Sequence, residues 1–313
     1  MSRKMMLIIN PHSGRGLTKI ALGTIISKLC IANNNVTVHF TNEKKPEELA
    51  YEHAGKHDMI VCVGGDGTLS GVIAGVVKAK ASVPVGFIPT GTANDVANTF
   101  AQSKYPSIAA KKIIKGTPRA IDIGEFRVGG IAAGQTLTGK THTDKHPDRY
   151  FTYIAAFGAF TGVSYSTPQN AKRALGHFAY VLSGIADVAA IKPRRTIVEY
   201  DGNTIEGEFI FGSVTNSTSV GGFIKLNRKL VNLSDGEFEV ILVKQPVVLA
   251  DFVDIMSSLT VQTYDGDSFQ MLHASNVRFI FEEEVAWTVD GEDGGRHKKV
   301  EIKNHHKAVE IVI

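Results

Sequence analysis

Residues 64–68 read Gly-Gly-Asp-Gly-Thr, directly after the apolar run "MIVCV". Glycines at a strand-to-helix turn release backbone N–H groups that can face an anion, aided by the positive end of the helix. A Walker loop adds a lysine to such a turn, in the order G-x-x-x-x-G-K-[ST]. This stretch has no such lysine and places the Asp66 carboxylate among its glycines. A carboxylate beside phosphates makes chemical sense when a divalent cation lies between them, because Mg²⁺ shares oxygen ligands from protein, water and phosphate. Taken alone, the motif reads equally as a tight turn with a helix-capping aspartate.

Asp66 does not stand alone. "NPHSGRG" follows the first apolar run with Asn10, Pro11, Ser13 and Gly14, and "PTGTANDVANTF" follows another with Thr90, Gly91, Thr92, Asn94 and Asp95. A further strand candidate, "IDIG", carries Asp122. Four strands thus bring small polar or acidic residues to one edge of a sheet. Capping explains each separately and their convergence poorly. Near the C-terminus "WTVDGED" presents Asp290 and Glu292 after a strand, where a β-turn built on Asp and Gly is the plain alternative.

The elements that must position these residues alternate strand and helix over the first 125 residues. "KMMLIIN", "VTVHFT", "DMIVCVGG", "SVPVGFIP" and "RAIDIGEFRV" read as strands. Between them lie helices with Leu22, Ile25, Ile26 and Leu29, then Leu69, Val72, Ile73, Val76 and Val77, each set on one face. Such alternation implies right-handed βαβ units, a mostly parallel sheet, and ligands beyond the carboxyl ends of its strands. From about residue 126 a polar Gly/Thr-rich excursion gives way to strand candidates "RYFTYIAAFG", "RTIVEYDG", "EGEFIFGSVTN", "GEFEVILVK", "NVRFIFEEE", "AWTVDG", "KKVEIK" and "AVEIVI". Helices are expected near 170–190 and 247–259. The expected division is a doubly wound α/β domain over 1–125, rejoined by about 299–313, and a β-rich domain over 126–298.

With 313 residues, 43% hydrophobic and 21% charged, the chain is of ordinary globular composition. A net charge of +3 without a basic stripe gives no reason to expect a nucleic-acid partner. Two cysteines, Cys30 and Cys62, exclude a disulfide framework or Cys-rich zinc module. No apolar segment reaches the ~18 residues that span a bilayer, and a cytoplasmic location is expected. His305 and His306 are adjacent on a strand candidate and point to opposite faces, which speaks against a shared metal.

"GGDGTLS" (64–70), "PTGTANDVAN" (89–98), "NPHSGRG" (10–16) and "VDGE" (289–292) together resemble the diacylglycerol kinase catalytic family, specifically its bacterial soluble lipid kinases. "YIAAFGAFTGVSY", "ALGHFAYVLSGI" and "GGFIKLNRKLVNLSDGEFEV" extend the likeness, in order, from about residue 5 to 295. The resemblance implies an N-terminal α/β domain whose GGDGT loop is like that of phosphofructokinases and NAD kinases. It also implies a C-terminal β-sandwich, a nucleotide in the cleft between the two, and last strands that return to the first domain. The implied activity is transfer of the ATP γ-phosphoryl to a lipid hydroxyl, diacylglycerol to phosphatidic acid first, with phosphatidylglycerol and sphingoid bases as alternatives.

Carried over by the resemblance, Asn10, Pro11, Ser13, Gly14, Thr41, Gly64, Gly65, Asp66, Gly67, Thr68, Thr92 and Asn94 line the ATP site. Asp66, Asp95 and Asp122 position catalytic Mg²⁺, directly or through water. A second, structural metal uses the Asp235 carboxylate with the carbonyls of Asn232 and Glu237. The Asp290–Gly291–Glu292 element supplies the proton acceptor, and Asp290, Glu292 and Asp66 all remain candidates for it. A lipid hydroxyl needs such an acceptor within ~3 Å as the bond to phosphorus forms. Ser70 stands where the family usually has Asn, Asn98 where it has Arg, and Ser234 where it has the first of an Asp pair.

Access to lipid implies transient contact with the inner face of a membrane. "KRALGHFAYVLSGIADVAAIKPRR" sets Leu175, Phe178, Val181, Leu182 and Ile185 at helical spacing beside basic residues, as either a core helix or a docking one. An edge strand could support a homodimer. Two rivals are a kinase for a soluble cofactor or sugar phosphate, and a non-catalytic nucleotide or lipid sensor of the same fold.

Overall fold

The computed structural model describes residues 2–14, 17–31, 34–92, 94–129, 149–158, 192–220 and 224–313. The helix expected near 170–190, with Leu175, Phe178, Val181, Leu182 and Ile185, lies outside them, as does most of the Gly/Thr-rich excursion. The chain forms two compact units: Met1–Ile123 with Leu233–Asp235 and His305–Ile313, and Gly124–Asn232 with Gly236–Asn304.

The first unit contains β1 (Lys4–Ile9), α1 (Leu17–Ile31), β2 (Asn35–Phe40), α2 (Pro46–His53), β3 (Met59–Gly64), α3 (Asp66–Lys78), β4 (Val85–Pro89), α4 (Asp95–Thr99), α5 (Pro106–Lys115) and the start of β5 (Arg119–Val128). β2, β1, β3 and β4 lie side by side, all parallel, with Leu7 opposite Val38 and Val61, and Val61 opposite Gly86. Every residue of β3 and β4 is buried, which is why they read as unbroken apolar runs rather than alternating ones. On one face Ile25 and Leu29 of α1 and Ala109, Ala110 and Ile113 of α5 close over Met5, Leu7, Ile9, Val61 and Val63. Parallel strands end at a common edge, so the loops after β1, β3 and β4 emerge together.

The second unit is antiparallel. It holds β6 (Arg149–Phe151), β7 (Ile154–Gly158), β8 (Arg194–Tyr200), β9 (Asn203–Thr215), β10 (Ser219–Val220), β11 (Ile224–Lys225), β12 (Phe238–Lys244), α6 (Leu249–Val261), β13 (Phe269–Ala274), β14 (Asn276–Val289) and most of β15 (Glu292–Val312). β8 pairs with both β9 and β14, and β7 pairs with the same two strands, closing a four-strand circuit. In its core Phe157 packs edge-on or tilted against Phe279, Phe281 and Trp287, with its ring centroid within 5.5 Å of all three.

Three sequence expectations need correction here. "RYFTYIAAFG" is two strands, interrupted at Thr152–Tyr153, because backbone N–H groups there turn to a carboxylate described below. "NVRFIFEEE" and "AWTVDG" are one strand, β14, with an irregularity between Ile280 and Val285, while Arg194 and Arg195 pair with Glu283 and Glu282. "KKVEIK" and "AVEIVI" are likewise one strand of 21 residues, β15, whose end pairs parallel with β4 through Ile311 and Val312.

Candidate active site

At the strand-end edge of the first unit, side chains from separate loops are tied to one another. The Asn10 amide donates to Thr68 Oγ1 at 3.1 Å, joining the loop after β1 to the Gly-Gly-Asp-Gly-Thr turn. The Asn10 Oδ1 accepts the His12 N–H at 3.0 Å, and the Ser13 hydroxyl meets that of Thr90 after β4. Gly14 has φ +61, and a Cβ there would run into the Thr90 carbonyl. A Cβ on Gly91 would come within 2.7 Å of the Gly65 Cα, so the β3 and β4 loops touch through glycine backbone. Pro11 lies half-buried between Asn10 and Ser13, and Thr92 is exposed. Thr41 is anchored by its N–H to the Ile9 carbonyl at 3.0 Å. Its neighbours Phe40 and Asn42 line a cavity of about 420 Å³ with His39 and His53.

Asp66 caps a helix, but not its own. It is the first residue of α3, after Gly65, yet its Oδ2 accepts the Asp95 N–H at 3.0 Å and its Oδ1 the Val96 N–H at 3.2 Å. A carboxylate on the opening N–H groups of α4 satisfies donors that the helix cannot. Asn94, just ahead, sits at φ 53 and donates to the Gly91 carbonyl at 2.8 Å. Burial, with Asp66 adding to it, pushes the Cys62 thiol far up, so that side chain is an inert core group.

Asp122 is fully buried and is held from β15: the Lys307 N–H donates to its Oδ1 at 2.6 Å, and the His306 Nδ1 lies 3.2 Å from the same oxygen. Lys307 has φ 51, a kink that aims its N–H inward. Among the described residues no three His, Cys, Asp or Glu side chains gather as a metal site. What the edge does offer a cation is oxygen: Asp66 and Asp95 are nearly buried there, and Asn94 Oδ1 is buried without a hydrogen-bond partner. That donor set suits Mg²⁺ arriving with phosphates, since this ion keeps water and phosphate ligands beside one or two protein oxygens.

In the second unit Asp290 and Gly291 form the two-residue turn between β14 and β15, with Val289 opposite Glu292 and φ values of 49 and 80. Positive φ at both positions is what a type I′ hairpin turn requires, and Asp-Gly supplies it. The Asp290 carboxylate is buried and accepts N–H groups from Thr152 at 2.6 Å, Tyr153 at 3.0 Å and Ile154 at 3.1 Å. These bonds interrupt the strand between β6 and β7. Asp290 is thereby committed to holding the turn, which separates it from Glu292, whose side chain is exposed. Asn232, Asp235 and Glu237 lie exposed in the segment leading into β12, with Gly236 at φ 92.

The sequence profile described as "Diacylglycerol kinase catalytic domain" matches residues 4–126, and the one described as "YegS C-terminal NAD kinase beta sandwich-like domain" matches 158–312. A diacylglycerol kinase of Bacillus subtilis (strain 168) is 30% identical over 297 residues, covering 94% of this chain and 91% of that protein. The chain belongs to the diacylglycerol kinase family. A diacylglycerol kinase of Staphylococcus aureus (strain JH9) is 29% identical over 308 residues, with 95% and 88% covered. A crystal structure of a diacylglycerol kinase from Bacillus anthracis str. Sterne has a TM-score of 0.72 at 22% identity, covers 99% of this chain and 96% of that one, and shows the fold. Membership makes the protein a phosphotransferase of the diacylglycerol kinase type, an ATP-dependent lipid kinase.

Two parts of the kinase escaped the sequence reading. His306 and Lys307 secure Asp122 through a kink that no local pattern marks. Arg149, at the end of the polar excursion, faces the hairpin turn: its Nη2 donates to the Glu292 carbonyl at 3.5 Å. Burial draws the Arg149 guanidinium below its ordinary value, against the opposing pull of Glu292, Asp290 and Asp293. An arginine opening an apolar strand was the available signal.

Proposed function

We propose that this kinase phosphorylates a lipid hydroxyl at a membrane surface, diacylglycerol before other lipid alcohols, with Glu292 as proton acceptor. The observation that carries the assignment is the division of labour in the hairpin: three N–H groups occupy Asp290, and the exposed carboxylate beside it is Glu292. Glu292 takes the proton as the hydroxyl oxygen bonds to phosphorus and the bond to the leaving phosphate oxygen breaks. A carboxylate serves this purpose because phosphoryl transition states are loose and the proton can leave late. When bound, ATP supplies the phosphoryl group and Mg²⁺ the neutralising charge.

The tied loops of Asn10, Ser13, Gly64, Gly65, Asp66, Gly67, Thr68 and Thr90 cradle phosphates with backbone N–H groups, in the manner of the phosphofructokinase and NAD kinase loops. Asp66, Asp95 and Asn94 hold the cation side of the site, and Asp122 helps to position the ion directly or through water. The Asp235 carboxylate and its neighbours Asn232 and Glu237 take a second, structural cation. Among the described residues no helix is long and apolar enough to cross a membrane, and the contact we propose is peripheral.

Labelled ATP and Mg²⁺ with diacylglycerol, phosphatidylglycerol or sphingosine in mixed micelles, and with free NAD, test the assignment. Label is expected in phosphatidic acid, and Glu292→Gln is expected to lower kcat at least ~100-fold with KM for ATP little changed. Faster labelling of NAD than of any lipid overturns the reading.

A further inference from the structure

We infer that Arg149 is a positioning residue for the Asp290–Glu292 turn, fixing the proton acceptor in place by gripping the turn's backbone and balancing its charge. This rests on the reading of Glu292 given above.

Three carboxylates, Asp290, Glu292 and Asp293, lie within four consecutive positions. Two of them are turned onto backbone N–H groups: Asp290 onto Thr152, Tyr153 and Ile154, and Asp293 onto Gly295 at 2.9 Å. Both bonding patterns hold the backbone of the turn and leave the Glu292 side chain to be placed by its own main chain. Arg149 acts there. Its guanidinium reaches the Glu292 carbonyl and is under the attraction of all three acids.

The same short segment, Arg149–Ile154, therefore takes the hairpin at two points, by a cation and by three N–H groups. β6 is itself held by β5, with Arg149 opposite Phe126 and Phe151 opposite Gly124. A half-buried guanidinium beside an acidic turn is worth more than an exposed ion pair, because neighbouring protein keeps water from screening it. Arginine also suits the task better than lysine, since its planar fork directs several donors at fixed angles. Without it the three acids repel within a turn that already needs two positive φ values. Glu292 would then sample orientations away from the hydroxyl, and small misplacements are expensive in proton and phosphoryl transfer.

Steady-state kinetics and thermal melts on Arg149→Gln, Arg149→Lys, Glu292→Gln and the Arg149→Gln/Glu292→Gln double variant separate the outcomes. Arg149→Gln is expected to lower kcat ~10- to 100-fold with KM for ATP within ~2-fold, and Arg149→Lys to recover part of that loss. In the Glu292→Gln background, Arg149→Gln is expected to have little further effect, because it acts through the residue already removed. Fully additive losses, or an Arg149→Gln enzyme of normal kcat, overturn the inference. A rise in KM alone does so as well, since it marks a binding role. If Arg149→Gln fails to fold, the Lys variant carries the same cycle. Normal kcat in Glu292→Gln itself removes the underlying assignment instead, and is a separate result.

Discussion

Two buried aspartates, one in each unit, use the same device with different ends. Asp66 accepts two N–H groups that open a helix, and Asp290 accepts three that interrupt a strand. In the first unit the clamp joins loops from different strands, and further side-chain bonds, Asn10 to Thr68 and Ser13 to Thr90, share the work. In the second unit one carboxylate and one arginine hold a two-residue turn. The distributed arrangement should tolerate the loss of a member; the concentrated one should not. Asp66 and Asp290 thus spend their carboxylates on backbone N–H groups, whereas the side chain of Glu292 is left exposed.

Asp290→Ala tests the concentrated clamp most severely. Three buried N–H groups would lose their acceptor, and chemical denaturation should show a loss of about 3–5 kcal/mol, with activity falling alongside. Glu292→Gln, two residues away, should leave the denaturation midpoint where it was; a matching drop in both would erase the distinction drawn between the two acids. Asp66→Ala should lower stability less, by about 1–2 kcal/mol, since α4 loses a cap while the other loop ties persist. A loss as large as that of Asp290→Ala would mean the first unit is no more redundant than the second.

The smallest effect concerns acid. His53 is drawn below its ordinary value by burial, with His39, Lys56 and His57 adding to it and Glu52 opposing. The unfolded chain therefore takes up that proton first as pH drops. The stability due to neutral His53 is complete above the ordinary histidine value of ~6.5 and declines below it. Hydrogen exchange followed from pH 7 to 5 should show α2 of the first unit loosening before the strands of the second, and His53→Phe should blunt the difference. Equal loosening in both units would count against this origin.

Much of the first unit was legible because β1, β3 and β4 are buried on both faces and its helices carry single apolar faces: Ile25 and Leu29 in one, Leu69, Val72, Ile73 and Val76 in another. The Gly-Gly-Asp-Gly-Thr turn and the "TGTAND" loop stood out for the same local reason. What stayed hidden depends on distant partners. The break after Phe151 exists because Asp290 sits opposite it, and nothing in "RYFTYIAAFG" announces that. The run Glu282–Glu284 resembled a strand end, yet the strand continues while arginines of β8 pair with two of those acids. β13 was missed because its burial does not alternate. At the site, residue types were readable and roles were not: Asp66 and Asp290 each looked like chemistry or capping, and only the donors they face decide the share of each.

The strand β15 has a consequence for biosynthesis. Its last residues, Ile311 and Val312, cover the open side of β4 at Val85 and Gly86. While the second unit is being made, that apolar border has no partner from β15 and can recruit strands of other chains. The newborn polypeptide is therefore expected to lean on chaperones until residue 312 leaves the ribosome, and chains stalled earlier to be cleared or to aggregate rather than to accumulate as half-built enzyme.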